Sequence, residues 1–433
     1  MKPGLSFDQT PPLHIPLRFF FSGSAFGIFA GILFAFSGDA FASRWTPQVL
    51  ALAHALTAGF MLQVMCGALL QLLPVAVAVG SGLPHSAFTG RLIHGATTLG
   101  AAALIGGFIT SQPGLYVTAA VLLAGGLAPL ILLGAMKLLG TTGSKEVRQG
   151  LFLALAALLV TASIGAAMAW ARGGWASVQA LSLHDLHARW GLAGWGLLLL
   201  AGTAYQVVPM FQLTPAYPAW MRRWSAPALF AMLMLGVLPA VPNWLANLLP
   251  TVAAAVFAIA TLRVQSQRKR PRVDATFRFW RLAMVVTLLA AAMLAVTPWI
   301  ASPHFEIAIG ILILHGGFSA VMVGMLYKIV PFLVWLHLTN QGCRAPLMNQ
   351  VIAETRMNRH LQLHIAGLGV ALVSLWLGAL TAPAGLLIAG SYLLLGMNLL
   401  QALRCYRSAL GEAHPRRSEN RGGTINPRNR QAA

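Results

Sequence analysis

The chain has 433 residues, of which 58% are hydrophobic and only 9% charged, and its formal net charge is +20. A soluble domain needs about a quarter of its residues charged to cover its surface, so this composition excludes an ordinary soluble enzyme and indicates a membrane protein. The basic residues lie in short segments between apolar runs and in the C-terminal tail, a distribution that argues against a nucleic-acid partner.

Twelve apolar runs follow one another along the chain, and a membrane-spanning helix needs about 20 such residues. The runs are Phe19–Ser37, Gln48–Leu73, Leu92–Thr110, Leu115–Met136, Gly150–Trp170, His187–Val208, Ala228–Val241, Trp244–Leu262, Trp280–Ile300, Phe305–Val330, Leu361–Leu380 and Ala384–Ala402. We therefore predict an all-α polytopic membrane protein with about 12 transmembrane helices. The seventh run is short and contains Pro239, so counts of eleven and thirteen stay open. Residues 1–410 form one transmembrane domain in this prediction, and residues 411–433 form a disordered basic tail.

The lysines and arginines alternate between sparse and dense segments, which predicts the orientation because cytoplasmic loops carry the excess. With the N-terminus inside, the outer loops keep only Arg44, Arg172 and Arg189. The inner segments then hold the rest, including Lys2, Arg18, Arg91, Lys137, Lys145, Arg148, Arg222, Arg223, the cluster at 263–281, Arg344, Arg356, Arg359 and the tail. We predict a bacterial inner-membrane protein that crosses the lipid bilayer many times, with both termini in the cytoplasm.

One motif, Gly-x-x-x-(Gln/Lys)-apolar-apolar-Pro, occurs three times. It reads GALLQLLP at 67–74, GTAYQVVP at 202–209 and GMLYKIVP at 324–331, where each copy is expected to end the second, sixth or tenth predicted helix. Glycine and proline are common in packed membrane helices, but three copies four helices apart favour a repeated unit. We predict three pseudo-symmetric four-helix units over about 17–140, 148–264 and 278–406.

The helices that carry this motif also carry histidine toward their predicted outer ends. His54 lies 13 residues before Gly67 and His315 lies 9 before Gly324, so α-helical periodicity places both on one face. His187 is rotated away from that face, and Arg189 holds the position equivalent to His54. Ionisable groups within a bilayer are costly and mark functional sites, and histidine is the usual ligand of haem iron and copper. We predict a cofactor site at His54 and His315, and His187 is a weaker candidate; hydrogen bonding across a helix interface is the alternative for each.

A second set of histidines lies on the predicted cytoplasmic side. His360 and His364 are one helical turn apart, a spacing at which two imidazoles can meet one ion. His94 begins an inward-to-outward helix equivalent to that of His364. These three residues are candidates for a second metal or haem site.

The nine acidic residues all map to loops, helix ends or the tail, so no carboxylate is predicted in mid-membrane. Ion-coupled transporters usually carry such a group. Lys328, the one lysine well inside a predicted helix, is near enough to the inner surface to extend toward the headgroups.

The segments HALTAG at 54–59, GALLQLLP at 67–74 and GMLYKIVP at 324–331 resemble helices 2 and 10 of subunit I of the haem–copper oxidase and nitric oxide reductase superfamily. HALTAG is also similar to the NnrS family of membrane haem–copper proteins linked to nitric oxide stress. The resemblance implies low-spin haem b, and possible further haem, held between His54 and His315. It also implies propionate contacts from Arg44, Arg189 or Trp190, and a cytochrome or quinol electron donor.

The chain departs from the oxidases where they bind copper. The sixth run begins His187-Ala-Arg-Trp-Gly without the family's Pro-Glu-Val-Tyr, the seventh run has no histidine, and the tenth offers only His315. The usual copper ligands are therefore missing, although copper is still possible. We expect electron transfer, or binding or detoxification of nitric oxide or another small gas. A divergent terminal oxidase or nitric oxide reductase and a cofactor-free transporter or channel are the alternatives.

Overall fold

The computed structural model describes residues 11–76, 86–140, 144–175, 181–269, 273–300 and 302–422, and within these ranges the chain is helical with no strand. Twelve helices of 17 residues or more follow one another in these ranges. They are α1 His14–Ala35, α2 at 47–76, α3 Ser86–Thr110, α4 Pro113–Leu139, α5 Lys145–Arg172, α6 at 181–212, α7 Ala219–Leu235, α8 Asn243–Ser266, α9 Ala275–Val296, α10 at 303–340, α11 Glu354–Ser374 and α12 Thr381–Gly422. Short helical turns occur at Gly38–Ala42, Thr297–Trp299, Met348–Val351 and Gly378–Leu380.

Ten helices of the described chain are long and apolar enough to cross a membrane, which confirms the prediction of an all-α, multi-pass membrane protein. The two long helices outside this set are α7 and α11. α7 has 17 residues and runs over Ala219–Leu235 rather than the predicted Ala228–Val241. α11 begins at Glu354, seven residues before the predicted apolar run, and its first turns carry Arg356 and Arg359. The count of twelve spans therefore stays a prediction.

Several helices begin at residues that satisfy or remove an unpaired backbone N–H. The Thr46 hydroxyl accepts a hydrogen bond from the Val49 amide, and Pro47 follows at the first position of α2. The Asp274 carboxylate caps α9 by accepting from the Phe277 amide at 2.9 Å. Pro113 and Pro303 occupy the first positions of α4 and α10. The helix starts thus follow the local chemistry of the chain.

Two of the repeated prolines lie inside helices rather than at their ends. α6 continues beyond Pro209 to Gln212, and α10 continues beyond Pro331 to Asn340. A proline removes one backbone donor, and packed neighbours in a membrane bundle tolerate that loss. The prediction that this proline ends each helix is therefore wrong for α10, which extends nine residues further.

The helices pack mainly against their neighbours in the chain, and the last helix returns to the first. α12 lies along α1, and α4 packs on α5 and α8 on α9. A Cβ atom at Gly31 would collide with the Ala389 backbone, and one at Gly385 would collide with the Ala35 backbone. Only glycine permits this close approach, so these two residues bring the ends of the bundle together.

The backbone of α12 stays helical through Gly422. The predicted tail begins at residue 411, so its first part continues α12, and residues 423–433 lie outside the described residues.

Candidate functional site

A cavity of about 640 Å³ lies among α2, α5, α6 and α10. This volume is in the range of about 300–1,000 Å³ that is typical of sites for small molecules and cofactors. Most of its wall is apolar, and the histidine, basic and acidic residues that line it are Arg44, His54, Arg172, His184, Asp185, His187, Arg189, Glu306 and His315. All four outer candidates from the sequence, His54, His187, Arg189 and His315, are therefore brought to one cavity.

Three wide helical turns contribute to the cavity wall. π-Helical segments interrupt α2 at Ala55–Met61, α6 at Trp190–Leu197 and α10 at Leu312–Ser319. Each lies just before one copy of the repeated glycine motif. A π turn shifts the side chains that follow it and is frequent at functional sites. Periodicity of 3.6 residues cannot reveal such segments, so the relative facing of His54 and His315 predicted from an ideal helix does not apply.

His54 is held by its own helix. Its Nδ1 lies 2.7 Å from the Leu50 carbonyl oxygen, and its ring lies 5.0 Å from that of Phe108. A carbonyl only accepts, so Nδ1 carries the proton and Nε2 keeps its lone pair. Nε2 has no hydrogen-bond partner among the described residues.

His187 is held in the same way by a neighbouring helix. Its Nδ1 donates to the Thr161 carbonyl of α5 at 3.1 Å, which again leaves Nε2 with a lone pair. The rings of His54 and His187 lie 6.3 Å apart between centroids and 19° from parallel. The structure therefore places His187 beside His54.

His315 is the most buried of the three, with 2% of its surface exposed. Its Nδ1 lies 3.4 Å from the Tyr392 hydroxyl, which itself donates to Ser319 Oγ at 2.8 Å, so Nδ1 is the donor to Tyr392. Nε2 is buried with no hydrogen-bond partner. A buried polar atom without a partner costs about 1–3 kcal/mol, which favours a ligand for it.

Cationic side chains line the same cavity. Arg44 forms ion pairs with Asp185 at 3.4 Å and with Glu306 at 3.3 Å. Arg189 donates to the Gly236 carbonyl at 3.0 Å, and its buried Nε has no partner. Arg172 lies over the Phe108 ring at 5.4 Å, with no carboxylate partner among the described residues.

These contacts change which of the predicted side chains are free to bind an anion. Arg44 is already neutralised by two carboxylates, whereas Arg189 and Arg172 keep donors for an anion. Trp190 Nε1 is buried and also lacks a partner. Sequence reasoning counted Arg172 as an outer-loop residue but did not assign it to the site. The sequence offered one indication of this role, because Arg172 and Arg189 were both assigned to the predicted outer loops.

The inner histidines occupy a different environment. His360 Nδ1 accepts from the Tyr327 hydroxyl at 2.6 Å, and its Nε2 contacts Ser391 Oγ at 2.8 Å. His364 Nδ1 contacts the same Ser391 oxygen at 3.2 Å, and its Nε2 donates to the His315 carbonyl at 3.1 Å. Every ring nitrogen of this pair thus has a protein partner.

The third inner candidate, His94, has its own contacts. Its Nε2 lies 2.7 Å from Ser22 Oγ, and its ring meets that of Phe19 edge-on at 5.0 Å. Among the described residues no group of three or more His, Cys, Asp or Glu side chains is arranged to hold a metal ion. The inner metal or haem site at His94, His360 and His364 stays a prediction.

Lys328 is paired with Asp274, the residue that caps α9. Its Nζ lies 2.7 Å from Asp274 Oδ2, and each side chain is about one quarter exposed. This ion pair links α10 to the start of α9, a contact that the sequence pattern did not reveal.

No model of a known protein family matches this chain, and no curated protein matches it significantly.

Proposed function

We propose that this chain is a haem-binding integral membrane protein whose cofactor lies in the cavity among α2, α5, α6 and α10. One observation carries the proposal. His54, His187 and His315 all line this cavity, all donate Nδ1–H to a protein oxygen, and all have Nε2 without a partner among the described residues. Metal-bound histidines have this arrangement, in which one nitrogen is anchored to the protein and the other is free for the metal.

The residues that line the cavity fit a haem group. His54 with a second imidazole of the cavity, either His187 or His315, would hold the iron. Arg172 and Arg189 would hold the carboxylates of the propionates, and the apolar wall would enclose the ring. A haem held in this cavity would supply one-electron redox chemistry or a binding site for a small gas.

Two tasks are compatible with this site: electron transfer from a cytochrome or quinol, and binding or detoxification of nitric oxide or a similar gas. The chain's own residues would orient the haem ring, exclude water from the iron and hold the histidine rings in place. Copper would need ligands beyond those that the described residues group together.

The architecture proposed for this function has twelve spans in three four-helix units. Its support is the three π segments before the three glycine motifs, together with the matching contacts of α4 with α5, α8 with α9 and α12 with α1. The units would then close into a ring, with the cavity at the helices that carry the motif.

Both termini are proposed to lie in the cytoplasm because of the basic inner segments. A reporter fused after Ala433 is expected to report a cytoplasmic location, and one inserted before Ser302, ahead of α10, a periplasmic one. The opposite pattern would contradict the orientation and the division of the histidines into outer and inner sets.

The proposal is tested by the absorption spectrum of the purified protein together with metal analysis. We expect a coloured protein with a b-type haem spectrum and stoichiometric iron. A colourless protein that also fails to take up added haem contradicts the proposal and favours a cofactor-free transporter or channel.

A further inference from the structure

Three imidazoles line the cavity, but only two of them lie beside each other. His54 and His187 lie 6.3 Å apart between ring centroids, with planes 19° from parallel. His315 makes its ring contacts with His364 at 4.0 Å and Tyr392 at 5.8 Å instead. The three side chains therefore divide into one pair and one separate residue.

The separation within the pair matches shared coordination. A histidine nitrogen binds a metal at about 2.0–2.1 Å, so two imidazoles on opposite sides of one metal have centroids roughly 6 Å apart. The rings of His315 and His364, tilted by 32° to each other, lie much closer, at 4.0 Å between centroids. The separation between His54 and His187 thus matches that of two imidazoles that share one metal.

The hydrogen bonds that hold His54 and His187 also favour a shared metal. Both Nδ1 atoms donate to main-chain carbonyls, Leu50 O for His54 and Thr161 O for His187. Each carbonyl belongs to a membrane helix, so each ring is fixed to a rigid element. Fixed rings with free Nε2 atoms are preorganised to bind a metal.

Glycine at position 165 provides the room for this arrangement. A Cβ atom there would lie 2.8 Å from His187 Cε1. The α5 surface is therefore in direct contact with the His187 ring and leaves no space for a larger side chain.

We infer that the haem proposed above would be held by His54 of α2 and His187 of α6, and not by His54 and His315. This inference rests on the proposed function and names the ligands of that same site. His315, supported by Tyr392 and His364, would then line the cavity with its Nε2 open to another ligand, and would not bind this iron.

The test uses the full-length protein with His54→Gly, His187→Gly and His315→Gly, each purified in detergent and measured with and without added imidazole. The readouts are the absorption spectrum and the low-temperature electron paramagnetic resonance signal of the oxidised iron. His304→Gly, outside the cavity lining, is the control.

We expect the variants at positions 54 and 187 to lose the six-coordinate signal and regain it with imidazole, because a free imidazole replaces the missing ligand. The variant at position 315 should keep the six-coordinate signal without imidazole. If position 315 instead shows imidazole-dependent recovery while position 187 keeps the wild-type signal, the ligand pair is wrong and the haem proposal stands. A wild-type protein that binds no haem contradicts both. Recovery by imidazole distinguishes loss of a ligand from misfolding, because a misfolded variant does not recover.

Discussion

The histidines that line the cavity differ in their hydrogen bonding from His360 and His364, which form the inner histidine cluster. In the cavity, His54, His187 and His315 each have one nitrogen without a partner. In the inner cluster, His360 and His364 have partners at all four nitrogens. A buried histidine with two partners is a structural element, whereas one with a free lone pair is prepared for a ligand. The hydrogen-bond partners therefore distinguish two kinds of membrane histidine that sequence spacing cannot.

The inner cluster is a chain of hydrogen bonds with a single consistent direction. Asn398 donates to the Tyr327 oxygen, whose hydroxyl donates to His360 Nδ1. His360 Nε2 then donates to Ser391, which donates to His364 Nδ1. Since every donor finds an acceptor, this chain stabilises the contact between α10, α11 and α12.

The largest predicted effect is on the stability of the protein, and it tests whether the inner histidines are structural. His360→Leu leaves the Tyr327 and Ser391 hydroxyls with fewer partners inside the bundle, so the free energy of unfolding should fall by about 1–3 kcal/mol. Thermal unfolding of the haem-free protein in detergent measures this.

The matched variant is His54→Leu, which removes a side chain whose Nε2 has no partner. We expect it to cost less than about 1 kcal/mol in the haem-free protein, because the Leu50 carbonyl still accepts within its helix. Equal losses for the two variants would mean that the cavity histidines are structural as well.

A smaller effect is expected from Gly165→Ala. The added methyl group must displace the His187 ring, so haem affinity should fall roughly tenfold, as for other changes that misorient a metal ligand. Gly125→Ala is the control, since a Cβ atom at Gly125 meets nothing within 4 Å. Haem titration followed by absorbance compares the two, and unchanged affinity in Gly165→Ala would show that His187 is free to move or is not a ligand.

The smallest effect is expected from Arg172→Gln. Loss of one exposed cation near a propionate should weaken haem binding about two- to fivefold. Haem dimethyl ester, which lacks the carboxylates, should bind the variant and the wild type equally well. An equal loss of affinity for haem and for the ester would indicate that Arg172 acts by packing on Phe108 and not by charge.

Much of the architecture was predictable because the apolar runs are long. The runs led to the all-α, multi-pass prediction, and ten helices of the described chain meet the length and hydropathy of a membrane span. The starts of α7 and α11 were missed because their first turns are polar, and the runs were located by apolar residues alone. Pro331 was predicted to end its helix, but α10 continues through this proline to Asn340.

The candidate site was predictable only in part. His54, His187, Arg189 and His315 were selected because ionisable groups are costly in a bilayer, and all four line one cavity. Their pairing was not predictable, because the π segments change the helical phase between each histidine and its glycine motif. The partners of the inner pair were also hidden. Ser391 and Asn398 on α12 are ordinary polar residues until the fold places them beside His360 and Tyr327.

The most direct test of the central claim is a haem titration of three haem-free proteins. They are the wild type, the outer double variant His54→Ala/His187→Ala and the inner double variant His360→Gln/His364→Gln, each shown to be folded by circular dichroism. We predict stoichiometric binding with a six-coordinate spectrum for the wild type and the inner variant. For the outer variant we predict a loss of affinity of at least about 100-fold, because both axial ligands are gone. Wild-type binding by the outer variant, with loss of binding in a folded inner variant, would contradict the account.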